Sequence, residues 1–285
     1  GGGGINVARV LHRLGAEVLA VYPAGGPQGE RLHALLAREG VPDWRIPIAG
    51  DTRESFTVHE RPHREAGAQA SGGGQEYRFV LPGPTLSEPE WAATLEGLRQ
   101  ASVGAGWLIA SGSLPPGVAP DGYAQVARMA RDLGARMVVD SWGPALDAAL
   151  SEGVWLVKPS LRELSELVGT ELATPRDRLA AARRLIGEGQ AQWVAVSLGG
   201  EGAMLVSAED CLLAQGLPVS VAGSVGAGDS FLAGLVWALA QDASMEQALA
   251  SAMAAGAASV MASGTAMGEV TTMTALARQV RVVRF

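Results

Sequence analysis

The 285 residues contain one cysteine and one lysine. The single Cys211 excludes an internal disulfide and a multi-cysteine zinc site, and it suits a reducing compartment, the cytoplasm. The single Lys158 stands in VWLVKPS, so neither a GxxxxGK[ST] phosphate loop nor the VAIK lysine of a protein kinase is present. HRD and DFG are missing, and no GxGxxG follows a strand-like run, so a dinucleotide fold has no support. Basic residues are outnumbered 22 to 29, giving a net charge of −7, which argues against nucleic acid or an anionic membrane as partner. An anionic ligand must therefore be held by local donors. Apolar runs such as FLAGLVWALA stop near about ten residues, too short to cross a bilayer. No signal peptide is visible, although the chain opens on GGGGINVARV rather than on methionine.

What is present is a globular composition, 48% hydrophobic, over a length that suits one large α/β domain or two small ones. Strand-like and helical stretches alternate. EVLAVY (17–22) precedes PQGERLHALLAREG, and WLIAS (107–111) precedes a helix near 120–133. MVVD (137–140), VWLV (154–157) and WVAVSL (193–198) are further β-rich runs, each followed by helix-like sequence. This pattern predicts parallel βαβ units with right-handed crossovers. Ligands in such sheets lie beyond the carboxyl ends of the strands, where Ser111–Ser113, Asp140, Lys158 and Ser197–Gly202 fall. Ser244 and Gln247 form a capping-box pattern ahead of the small-residue helix MEQALASAMAAGAASVMAS, whose small side chains permit close approach of a neighbouring helix or a ligand. Residues 41–82 break the alternation: SFTVHE (55–60) and QEYRFVL (75–81) read as antiparallel strands of an inserted β-lid, with a glycine-rich tip between them.

One stretch carries chemistry. In GSVGAGDSFLAG (223–234), Gly226 and Gly228 free the backbone for convergent N–H groups, and an apolar helix follows. A glycine-rich helix entrance is an anion site. Asp229 at its mouth would repel a phosphate unless it has a chemical task, the plainer alternative being a helix cap.

GGGGINVARVLHRLG, ASGSLPPG (110–117), VDSWGPAL (139–146), LVKPSLRELSELVG (156–169), VSLGGEGAML (196–205) and SVGAGDS (224–230) occur in one order. Together they resemble the ribokinase-like sugar kinases of the phosphofructokinase-B family, over essentially the whole chain. The resemblance implies a single domain over 1–285: a three-layer α/β sandwich with a mostly parallel central sheet flanked by helices, plus the lid. It also implies about thirty further residues ahead of Gly1, holding a first strand that would otherwise leave an unpaired edge. The implied activity is ATP- and magnesium-dependent phosphorylation of fructose 6-phosphate at its 1-hydroxyl, a glycolytic step, with a monovalent cation such as K+ as a further cofactor. Gly3 bears on the substrate, because the branch acting on fructose 1-phosphate or tagatose 6-phosphate usually reads GGKGINVAR. That branch is the alternative, and a binding protein without turnover is the alternative of another class.

Residue roles follow from the same resemblance. Asp229 is implied as catalytic base, with the N–H groups of Gly226, Ala227, Gly228 and Asp229 as the hole for the phosphoryl charge. Gly1, Gly2 and Asn6 are implied contacts to sugar hydroxyls, Ser113 a further substrate contact, and Arg53 the grip on the sugar phosphate. Arg78 is a second candidate or a solvated charge. Lys158, Ser160, Ser197, Gly199, Gly202 and Met253 are implied around the nucleotide, with Ser160 standing where the family has asparagine. Glu163, helped by Asp140, is implied to organise magnesium through water. A homodimer joined through the lid strands is implied as well.

Overall fold

The computed structural model describes residues 2–59, 76–262, 264 and 266–285, without the side chains of His59, Glu76 and Arg78. The chain runs through α1 (Gly3–Arg13), β1 (Ala20–Ala24), α2 (Gly26–Glu39) and β2 (Asp43–Pro47), then β3 (Ser55–His59) and β4 (Glu76–Val80). After α3 (Glu88–Ala101), strands and helices alternate: β5 (Trp107–Ser111), α4 (Gly122–Asp132), β6 (Arg136–Asp140), α5 (Gly143–Ser151) and β7 (Val154–Val157). Two helices, α6 (Leu161–Val168) and α7 (Pro175–Gly187), lead to β8 (Ala191–Ser197). The last part holds β9 (Gly202–Val206), β10 (Cys211–Gln215), α8 (Ala227–Ala240), α9 (Met245–Met261), α10 (Val270–Ala277) and β11 (Val282–Arg284).

Seven strands form the central sheet in the order β11-β10-β9-β8-β7-β6-β5. The mostly parallel sheet expected from the sequence resolves into two halves. From β5 to β8 every pairing is parallel; from β8 to β11 every pairing is antiparallel. Connection length accounts for two of the antiparallel pairings: helices separate the strands from β5 to β8, whereas only a short turn joins β8 to β9 and another joins β9 to β10, too little chain for a parallel crossover. The edge strand β11 pairs antiparallel with β10 only after the three helices α8 to α10.

Period-2 alternation along each inner strand supplies both faces of the sheet. Val138, Leu156 and Ala195 point to a layer made by α1, α8, α9 and α10. Met137, Val139, Val157, Val194 and Val196 point to the opposite layer of α4, α5, α6 and α7. The small-residue helix α9 serves tight packing: a Cβ on Gly234 of α8 would lie 2.7 Å from the Ser251 carbonyl oxygen and 2.8 Å from the Ala255 Cβ. Its capping box, Ser244 with Gln247, is formed as the sequence predicts.

Beside this sandwich, β1 and β2 pair in parallel under α2. The lid strands β3 and β4 pair antiparallel, Phe56 opposite Phe79 and Thr57 opposite Arg78, with the two phenyl rings stacked at 5.0 Å. The glycine-rich tip lies outside the described residues. Phe56, Val58, Tyr77 and Phe79 are about half exposed and give the lid strands an apolar surface.

Candidate active site

One glycine of GSVGAGDS does what a left-handed turn requires. Gly226 has φ 79° and caps α8, and a side chain there would meet the Met267 Cε at 3.1 Å. The first regular helical bond, Ser230 N–H to the Gly226 carbonyl, is 2.8 Å, so Gly228 and Asp229 lie in the first turn of α8, ahead of the regular ladder. Asp229 occupies the third helical position rather than the cap, where its charge also faces the positive end of the helix dipole. Its Oδ2 accepts a 2.8 Å hydrogen bond from Nδ2 of Asn6. Asn6 is buried in the first turn of α1, which packs along α8, so two helix N-termini meet at one carboxylate.

The carboxyl ends of β5, β6 and β7 form the floor. Lys158 is 5% exposed, and its Nζ lies 3.0 Å from Asp140 Oδ1. The same ammonium would sit 3.7 Å from a Cβ on Gly228, so the only lysine of the chain brings its charge to the glycine turn at the start of α8. Burial raises the Asp140 carboxyl to about 6; Lys158 opposes that rise, while the charges of Asp229 and Glu163 add to it. Three carboxylates and one ammonium thus share this floor. Two residues without any sequence signal fix its backbone. The Tyr123 hydroxyl and Ser141 Oγ both donate to the Gly112 carbonyl, at 3.0 and 2.9 Å. Ser111 Oγ is buried without a hydrogen-bond partner among the described residues, and a Cβ on Gly3 would lie 2.3 Å from it. Any side chain at position 3 would have to displace that hydroxyl.

At the other end of the cleft, Ser160 and Ser197 bridge α6 to β8, and a short 3-10 turn, Gly199–Glu201, follows. Gly199 and Gly202 both have positive φ, 60° and 123°. Ser160 and Glu163 form a capping box: Ser160 Oγ accepts from Glu163 N–H at 3.3 Å, and Glu163 Oε2 accepts from Ser160 N–H at 2.8 Å. Both side chains therefore serve the start of α6, a local role that their expected work at the nucleotide and at magnesium did not include. Met253, expected beside the nucleotide, is 8% exposed and belongs to the core cluster of α8 and α9. Its spacing with Leu249 and Ala252 puts it on the inward face of α9.

Arg53 is exposed between β2 and β3. Its Cδ and the Cδ of Pro116 lie 3.7 and 3.6 Å from the point a Cβ on Gly83 would occupy, which sets the arginine beside the SLPPG loop. Ser113 is on that loop, exposed, at the rim of an open cavity of about 350 Å³ that Leu114, Pro116, Ser141 and Trp142 also line. Gly2 caps α1 without a side-chain bond. Gly1 and the side chain of Arg78 lie outside the described residues. Among those residues no group of three or more His, Cys, Asp or Glu could hold a metal ion.

A family model described as "pfkB family carbohydrate kinase" matches residues 1–272. The chain is 45% identical over 266 residues to the ATP-dependent 6-phosphofructokinase isozyme 2 of Mycobacterium tuberculosis H37Rv, covering 93% of this chain and 75% of that protein. The isozyme 2 of Escherichia coli K12 is 42% identical, covering 93% and 82%. The 1-phosphofructokinase of Vibrio cholerae is 32% identical, covering 99% and 85%. Among solved structures, Escherichia coli phosphofructokinase-2 in complex with potassium superposes with a TM-score of 0.89 at 40% identity, over 98% of this chain and 87% of that one. The tetrameric inhibited form of the same enzyme gives 0.86 at 40% identity, over the same shares.

Proposed function

This chain belongs to the pfkB family of carbohydrate kinases, and from that premise we propose that it transfers the γ-phosphoryl group of ATP to the 1-hydroxyl of fructose 6-phosphate. The observation that carries the reading is the Asn6–Asp229 hydrogen bond at the mouth of the α8 N-terminus. Asp229 takes the proton of the attacking hydroxyl as the new P–O bond forms and ADP leaves. The N–H groups of Gly226, Ala227, Gly228 and Asp229 receive the charge on the transferring group. Lys158 adds a fixed cation beside the same turn. Positioning and electrostatics suffice, because phosphoryl transfer asks little covalent work of the protein.

The other residues take supporting roles. Arg53, beside the SLPPG loop, grips the sugar phosphate; Ser113, Asn6 and the glycine turn Gly1–Gly2 meet the sugar, and Arg78 is available from the lid. Ser197, Gly199 and Gly202 border the nucleotide. Magnesium would be carried mainly by substrate phosphates and water, with Asp140 and Glu163 as the carboxylates that would organise it through water. When bound, it neutralises phosphate charge. The Escherichia coli phosphofructokinase-2 structure in complex with potassium supports a monovalent cation such as K+ as a further cofactor. The half-exposed apolar lid strands support a homodimer through the lid, and the lone, buried Cys211 fits the cytoplasm.

A panel of fructose 6-phosphate, fructose 1-phosphate and tagatose 6-phosphate with coupled ADP detection tests the assignment. The highest kcat/KM belongs to fructose 6-phosphate; a higher value for either of the others, or no sugar-dependent ADP release, contradicts it.

A further inference from the structure

The turn at the nucleotide end of the cleft is weakly built from its own residues. Gly199–Glu201 is a single 3-10 turn between two glycines of positive φ, and neither glycine brings a side chain to fix it. Its backbone is held by Glu201 N–H to the Leu198 carbonyl at 3.2 Å, Leu198 N–H to the Gly202 carbonyl at 2.9 Å, and Gly216 N–H to the Glu201 carbonyl at 3.0 Å. A side-chain tie comes from outside. Arg178, on the first turns of α7, donates from Nη1 to Glu201 Oε2 at 2.8 Å and from Nε to the Leu172 carbonyl at 3.3 Å. Its side chain is 11% exposed, whereas that of Glu201 is 66% exposed. The base of Arg178 is rigid in turn, since the Thr174–Asp177 capping box and the Arg178 N–H bond to the Thr174 carbonyl lock the start of α7.

We propose that Arg178 is a positioning residue for the nucleotide, acting through Glu201 to hold the Gly199–Glu201 turn. The proposal rests on the reading that this turn borders the nucleotide. Arg178 does a second thing in the same contact. Without it, Glu201 would present an uncompensated carboxylate beside the polyphosphate of ATP, a like-charge contact that weakens binding. A guanidinium that reaches both Glu201 and the Leu172 carbonyl suits this work better than a lysine ammonium.

The test measures ADP affinity by titration and steady-state kinetics on the full chain, for the wild type, Arg178→Ala, Arg178→Lys, Glu201→Ala and the double variant Arg178→Ala/Glu201→Ala. Arg178→Ala is expected to weaken ADP binding and raise KM for ATP by about tenfold, with kcat and KM for fructose 6-phosphate changed less than about twofold. Arg178→Lys recovers part of that loss. The double variant is no weaker than the worse single one, because both substitutions remove one interaction. Equal rises in both KM values, unchanged ADP affinity in Arg178→Ala, or additive losses in the double variant overturn the proposal. A wild type that binds no ADP would instead overturn the kinase reading itself.

Discussion

Nδ2 of Asn6 and Oδ2 of Asp229 lie 2.8 Å apart although 223 residues separate them in the chain. The bond joins the first turn of α1 to the first turn of α8, and in the proposed function it ties the side that meets the sugar to the side that meets the phosphoryl group. Asn6→Ala should lower kcat by on the order of tenfold to a hundredfold, since it frees the rotamer of the base as well as removing a sugar contact. A variant with only a raised KM and full kcat would reduce Asn6 to a sugar contact.

Lys158 and Asp140 make the second pair. Lys158→Met leaves Asp140 buried without its partner and should cost about 3–5 kcal/mol in stability. Lys158→Met/Asp140→Asn should recover most of that stability but little of the turnover, because the cation beside Gly228 stays absent. Denaturant titration paired with kcat separates the two outcomes; recovery of turnover along with stability would make the pair structural only.

Gly234 tests packing against helix propensity. Propensity alone predicts that Gly234→Ala stabilises α8 by about 0.8–1 kcal/mol. The structure predicts the reverse, a loss of about 1–3 kcal/mol by overpacking, because the new Cβ would press on the Ser251 carbonyl oxygen and the Ala255 Cβ. A raised melting temperature would mean that α8 and α9 sit farther apart.

Much of this was legible in the sequence. The lid strands, the strands β5 to β8 and the capped α9 follow from local pattern, because alternation, capping residues and turn glycines act over a few neighbouring positions. The antiparallel half of the sheet was not, since it depends on the short connections from β8 to β10 and on the return of β11 to the sheet edge after three helices, not on the strands themselves. Asp229 was legible as the odd carboxylate in a glycine-rich helix entrance. The partners that tune the site were not: Tyr123 and Ser141 meet at the Gly112 carbonyl only after folding, and Arg178 meets Glu201 from another helix. Ser160 and Glu163 show the converse, a capping-box spacing that the structure uses as a cap. Met253 stood in a run of small residues where helical phase alone decides which face is buried.

Glu39 predicts an acid limb of stability. Its hydrogen bond from Arg9, strongest among the causes, holds the carboxyl below its usual 4.5. A depressed folded value means that the contribution is present above pH of about 4.5 and is lost as pH falls through the folded value. Glu39→Gln should therefore lower stability at pH 7 while narrowing the difference from wild type at pH of about 3. Parallel pH–stability curves for the two proteins would remove the α1–α2 clamp from this account.

The most direct measurement is kcat of Asp229→Asn with ATP and fructose 6-phosphate, alongside ADP affinity and melting temperature. Size and shape are kept, and the amide can still meet the carboxamide of Asn6, so fold and nucleotide binding should stay close to wild type. Loss of the base should lower kcat by about 10²–10⁴-fold. A variant that keeps more than about a third of wild-type kcat would mean that another group takes the proton, contrary to the role given to Asp229.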